Sequence, residues 1–217
     1  MVSKWKAARR PAAFALGLLC WGALALQLSL TVGTVTAQGR PAGAAILVLS
    51  GYFTILTNLL CAVCMTAAFF SRSAVWPSAS LLSAATLYIA TVGVVYALLL
   101  SHLYFPEGLA WVADRLLHYV VPPAFVAYWL IFVPKGTLRW TTPLVWLIYP
   151  LAYLAVSLVR GALSGWYPYP FINVIVLGYR AALLNALGLT VTFFVSGLAL
   201  VAWDRQTGRR EKGSEPE

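Results

Sequence analysis

Ionisable side chains are scarce in this chain. Its 217 residues include two histidines, six acidic residues and three cysteines, and only 10% are charged. That fraction excludes a soluble globular domain, in which about a quarter of residues carry charge. No acidic residue is expected deep within an apolar run, which leaves ion-coupled transport poorly supplied. Cys61 and Cys64 stand at C-x-x-C spacing, yet no second pair and no nearby histidine complete a zinc site, and no βαβ context makes a redox motif. With Cys20 they read as small buried hydrophobes. Phosphate loops, dinucleotide fingerprints, H-E-x-x-H and G-x-S-x-G are missing, as are internal repeats. Nothing here asks for a metal or an organic cofactor.

What the chain has in excess is hydrocarbon. Hydrophobic residues make up 61% and the mean hydropathy is +0.83, the composition of a polytopic membrane protein. Apolar runs extend from Pro11 to Thr36, Ala42 to Phe70, Ser78 to Tyr104, Leu116 to Val133, Thr141 to Val159 and Leu183 to Trp203. Each is near or above the roughly 20 residues that a helix needs to cross a bilayer. The expected fold is therefore an all-α membrane protein, a bundle of six transmembrane helices.

The net charge of +9 does not point to nucleic acid, because the basic residues are spread over loops and tails. Topology explains them better. Lys4, Lys6, Arg9, Arg10, Arg72, Lys135, Arg139, Arg205, Arg209, Arg210 and Lys212 fall on one side, against Arg40, Arg115, Arg160 and Arg180 on the other. That bias predicts both termini in the cytoplasm of a protein of the cell membrane. Val35-Thr36-Ala37 resembles a signal-peptide cleavage site, but the run from Ala12 to Val35 is too long for a typical signal core, so an uncleaved first helix is expected.

One domain is predicted from 11 to 205, between a basic N-terminus of residues 1–10 and a disordered polar tail of residues 206–217. The second loop, Ser71 to Pro77, and the fourth, Pro134 to Trp140, are short turns that make neighbouring helices antiparallel. The longest connection, Gly161 to Gly178, contains Gly-Trp-Tyr-Pro-Tyr-Pro-Phe-Ile-Asn. Its prolines stop a helix, and its aromatics suit either an interfacial belt or a lid over the outer ends of the helices.

Polar residues recur at helical spacing inside the spans. Ser50, Thr54, Thr57 or Asn58, and Cys61 share a face of the second, and Tyr149, Tyr153, Ser157 and Arg160 share one of the fifth. Gln27, Thr31 and Thr34, and Tyr88, Thr91 and Tyr96, are weaker versions. Such faces must meet protein, either as helix glue or as the wall of a polar interior. Antiparallel topology brings the second span's stripe, His118 and Arg160 toward one outer-half cavity.

His118 stands out within that pattern. Pro122, four residues on, lacks an amide hydrogen, which frees the His118 carbonyl and predicts a kink. Asp114, one turn earlier, is spaced to orient the imidazole, or else is a solvated entrance residue paired with Arg115. His102, beside Tyr104, Phe105 and Pro106, reads as interfacial. A hydroxyl-rich face with one buried imidazole is the minimum equipment for nucleophilic chemistry.

The segments Tyr52-Phe53-Thr54-Ile55-Leu56-Thr57-Asn58, Leu117-His118-Tyr119-Val120-Val121-Pro122, Val133-Pro134-Lys135-Gly136, Trp146-Leu147-Ile148-Tyr149-Pro150 and Tyr167-Pro168-Tyr169-Pro170-Phe171 carry a family resemblance. Over about Phe14 to Trp203 the chain resembles the bacterial Pr-six-Pr family of integral membrane proteins. That family is distantly similar to the androgen-induced and FAR-17a-like membrane proteins, threonine hydrolases that cleave fatty acid esters of hydroxy fatty acids. The resemblance implies a threonine nucleophile at Thr54, with Thr57 as fallback, and a histidine partner at His118. On that reading the partner is the lipid bilayer and the substrate a lipid-like or fatty-acyl ester. Asn58 or Tyr153 would donate to the oxyanion and Arg160 would hold a substrate carboxylate. Two alternatives stay open: a non-enzymatic lipid-binding or small-molecule transport protein lined by the same residues, and a partner subunit whose stripes are glue.

Overall fold

Inside hydrocarbon a backbone must bond to itself, and these apolar runs do so as helices. The computed structural model describes residues 2–71 and 77–213, and the side chains of 7–71 and 77–209. Arg72 and most of the second loop, the side chains of Lys4, Lys6, Arg210 and Lys212, and the last four residues of the tail lie outside them. No strand forms among the described residues. Six helices are long and apolar enough to span: Ala7–Ala37, Phe53–Phe70, Ala79–Leu100, Gly108–Phe132, Thr142–Ser164 and Val174–Arg209. The chain is an all-α, multi-pass membrane protein.

Two compact units make it up, Met1–Pro134 and Lys135–Glu217. The first contains α1 (Val2–Ala37), α2 (Ala44–Leu49), α3 (Phe53–Phe70), α4 (Ala79–Val95), α5 (Gly108–Arg115) and α6 (Val121–Phe132). A π-turn, Tyr96–Leu100, prolongs α4, and a second, Leu116–Val120, joins α5 to α6. Within this unit α1 lies along α3 and meets α5 and α6, while α4 packs on α3 and α6. Polar side chains tie these contacts. Trp21 Nε1 donates to Thr66 Oγ1 at 3.0 Å, Trp129 Nε1 to Ser83 Oγ at 2.7 Å, and Arg10 Nε to the Phe69 carbonyl at 2.9 Å. Such bonds hold helices together where hydrophobic burial cannot, lipid being as apolar as leucine. Cys20, Cys61 and Cys64 are buried free thiols in the same unit.

Several expected boundaries move. The run from Ala42 to Phe70 breaks at Ser50-Gly51-Tyr52: Ser50 Oγ bonds the Leu47 carbonyl, and Tyr52 is extended at φ −102° and ψ 124°. Ser50 is exposed and stands outside α3, so it drops off the stripe that Thr54, Thr57, Asn58 and Cys61 keep. The fourth span starts at Gly108 and not at Leu116, which brings Asp114 and Arg115 into the helix. An acidic residue thus does lie within a span. Charge ended the apolar run in the sequence, whereas the folded helix absorbs it by pairing.

The second unit contains α7 (Thr142–Trp146), α8 (Ile148–Ser164) and α9 (Val174–Gly213), with a 3₁₀ turn at Pro170–Ile172. The aromatic connection is bonded to both long helices. Tyr167 occupies the space a side chain at Gly161 would fill, Asn185 Nδ2 donates to the Phe171 carbonyl at 3.0 Å, and Asn173 Oδ1 accepts the Ile175 amide at 3.1 Å, opening α9. Gly178 interrupts α9 at φ 73°, a conformation open to glycine. The segment expected as a disordered tail from 206 continues α9 through Gly213.

Candidate active site

Two π-turns build the site. Each widens a helix by one residue per turn, a distortion often found at functional positions. In the second, the Val121 amide bonds the Leu116 carbonyl, and Pro122, near the start of α6, has no amide to offer His118. The kink expected from Pro122 takes this form. The His118 carbonyl then faces Gly93 of α4, where an added Cβ would lie 3.2 Å from that oxygen and 3.1 Å from Pro122 Cβ. Glycine is what lets α4 come so close. Gly93→Ala is expected to lower stability by about 1–3 kcal/mol, because a carbonyl and a proline ring yield poorly; thermal unfolding in detergent measures it.

Close approach of α4 puts Tyr96, first residue of its π-turn, against His118. Their rings stack with centroids 3.6 Å apart at 13°. On the other edge of the imidazole, Nδ1 lies 3.0 Å from the Asp114 carbonyl and 3.2 Å from Asp114 Oδ1. Both partners are acceptors, so Nδ1 carries the proton and Nε2 of the neutral ring keeps its lone pair. Asp114 is 5% exposed, a buried residue and not a solvated one. The Tyr96 hydroxyl faces the same carboxylate, and the buried Oδ2 has no hydrogen-bond partner among the described residues.

Arg115 completes the cluster. Its guanidinium lies over the Trp111 ring at 5.4 Å and the Tyr119 ring at 4.8 Å, and its buried Nε has no hydrogen-bond partner. Cation–π contact shelters the charge within an otherwise apolar segment.

Across from this cluster, α3 packs on the Leu116–Val120 turn and presents Thr54, Thr57 and Asn58, all buried. Asn58 Nδ2 donates to the Thr54 carbonyl at 2.9 Å and to the Leu117 carbonyl at 3.4 Å. An amide nitrogen has two hydrogens, and both are used. The oxyanion-donor role expected of Asn58 therefore gives way to that of a clamp holding α3 against the His118 turn. Among the described residues no hydrogen bond joins His118 to Thr54 or Thr57, and Nε2 has no partner.

Tyr153 and Arg160 belong to the second unit. On α8, Tyr149, Tyr153 and Arg160 are half-buried and Ser157 is buried. Tyr153 leans on Tyr169 at 6.4 Å, and the Arg160 guanidinium covers Trp166 at 4.9 Å. His102 is exposed in the turn after the first π-turn. Sequence reasoning placed Tyr96 in a minor stripe and Arg115 at a helix entrance, missing both as companions of His118. The legible signal was Gly93, one turn before Tyr96: a glycine in a span otherwise built of larger residues marks a close helix crossing.

No family model matches this chain, and neither a curated protein nor a solved structure does.

Proposed function

We propose that this protein is an intramembrane hydrolase of lipid-like acyl esters, with Thr54 as nucleophile, His118 as general base and Asp114 as the residue that positions the imidazole. The observation that carries the reading is the asymmetry of His118: Nδ1 is tied to Asp114, while Nε2 has no partner among the described residues. An imidazole so oriented is prepared to take a proton. Nε2 removes the hydroxyl proton of Thr54 as its oxygen attacks the ester carbonyl. The tetrahedral adduct collapses, the carbon–oxygen bond to the alcohol breaks, and imidazolium returns its proton to the leaving oxygen. Water, deprotonated by the same Nε2, then attacks the acyl-threonine, the acyl carbon–Oγ1 bond breaks, the imidazolium returns its proton to Thr54 Oγ1, and the acid is released. Arg115, beside the pair, attracts the product carboxylate. The motif resemblance supports membership in the Pr-six-Pr family, and the charge bias supports cytoplasmic termini in the cell membrane.

A second reading, a lipid-binding or small-molecule transport protein, is favoured by one observation: the His118 ring bonds Asp114, and among the described residues no hydrogen bond joins it to Thr54. Labelling by a fluorophosphonate separates the two. The hydrolase predicts modification of Thr54 in wild-type membranes, located by peptide mass and abolished in Thr54→Ala and His118→Ala. Modification of Thr57 would move the nucleophile to the next turn. A folded wild type that takes no label would favour the binding protein.

A further inference from the structure

Toward the C-terminal end of α9, Arg205 and Arg209 stand one turn apart on one face. With Ala202, Gln206 and Trp140, which lies just before α7, they line an open groove of about 450 Å³. Arg205 is already oriented: Nη1 donates to the Leu138 carbonyl at 3.1 Å, and the guanidinium lies 6.0 Å from the centroid of the Trp140 ring. Its neighbour Asp204 is buried and turned to another task, accepting the Leu138 amide on Oδ2 at 3.0 Å. Among the described residues no carboxylate pairs with Arg205 or Arg209. Two guanidinium groups thus share a concave surface without a carboxylate partner among the described residues. The apolar run of α9 ends at Trp203, and Asp204, Arg205 and Arg209 follow it, so the groove lies at the polar end of that run, the depth that suits an exposed tryptophan.

From these features we propose that the groove binds the phosphate of an anionic lipid headgroup. Arginine forks match phosphate oxygens bidentately. Gln206 adds a neutral donor and acceptor for headgroup hydroxyls, and Trp140 closes one wall. A lipid, and not free phosphate, is the occupant because the groove adjoins an apolar span and the methyl of Ala202, a surface that suits acyl chains beside the bound headgroup. The site is independent of His118 and its chemistry.

Native mass spectrometry of the full chain in detergent, with phosphatidylglycerol and phosphatidylcholine offered separately, tests this. Wild type is expected to retain phosphatidylglycerol preferentially, and Arg209→Gln to weaken that retention about fivefold, the share of one arginine near an anionic headgroup, with phosphatidylcholine unchanged. Arg209 has no protein partner among the described residues, so this variant keeps its fold; Arg205→Gln, which also loses the Leu138 bond, is the companion. Equal retention of the two lipids by wild type, or a preference that survives both substitutions, overturns the proposal. Displacement of phosphatidylglycerol by millimolar inorganic phosphate would make free phosphate the occupant and overturn the lipid assignment.

Discussion

On the proposed mechanism, asparagine in place of Asp114 is expected to lower acyl-ester hydrolysis by about 10²- to 10⁴-fold, the upper figure being the loss when the orienting acid of a hydrolytic triad is neutralised. The fall should appear in kcat with KM little changed, because Asp114 acts through His118 and not on the substrate. The reason is tautomeric and electrostatic. Asp114 presents two acceptors to Nδ1, its carbonyl at 3.0 Å and Oδ1 at 3.2 Å, and these keep the Nδ1 proton in place and Nε2 basic. An asparagine keeps the backbone acceptor but loses the negative charge that stabilises the imidazolium formed when Nε2 takes the proton, and its NH₂ competes with the carbonyl for Nδ1. Asparagine matches aspartate in shape, so the packing of Tyr96 on His118, centroids 3.6 Å apart, should persist. Hydrolysis of a fluorogenic long-chain ester by the variant in lipid nanodiscs makes the measurement. Activity equal to wild type would exclude Asp114 from positioning the base.

Alanine at Gly208 should lower stability by about 3 kcal/mol or more, the largest single-residue effect expected in the second unit. A Cβ there would lie 2.5 Å from Gly136 Cα and 2.6 Å from Gly136 N. The obstacle is the backbone of Lys135 and Gly136, with no side chain to swing away. Relief requires the 134–140 loop to lift from α9, which breaks the bond from the Gly136 amide to the Asp204 carbonyl, 3.0 Å long. It also breaks the bond from the Leu138 amide to Asp204 Oδ2, likewise 3.0 Å. Leaving a buried carboxylate without its donor costs about 1.5–3 kcal/mol by itself. Gly188→Ala is the control on the same helix, since nothing lies within 4 Å of an added Cβ there; it should be neutral or slightly stabilising through helix propensity. Thermal unfolding in detergent compares the two, and a Gly208→Ala variant that melts with wild type would show that α9 and the loop are not in obligatory contact.

The helices were legible from composition because a bilayer sets a length and forbids unbonded backbone, a rule that needs no neighbours. Thr54, Thr57 and Asn58 were likewise legible as a protein-facing stripe from spacing alone. Ser50 fitted the same spacing and failed it, because the count assumed a helix that Gly51 interrupts. The fourth span's start was misjudged for a related reason: Asp114 and Arg115 look like an interface when read singly. Inside the helix Asp114 bonds His118 and Arg115 lies over two rings, so the charges are compensated by partners that a hydropathy window does not see.

By itself, the sequence determined the class of protein, a multi-pass chain with six apolar spans, and picked out His118 as the unusual ionisable group within them. Local periodicity and bilayer thickness suffice for that. Only the tertiary structure decided what His118 touches. Stacking on Tyr96 depends on Gly93 admitting α4, and the π-turn depends on Pro122 withholding a proton from the His118 carbonyl. The use of both Asn58 hydrogens depends on where the Leu117 carbonyl falls. Each is a contact between residues that are far apart in the chain or displaced from ideal helical register, and register is what a pattern of spacings takes for granted.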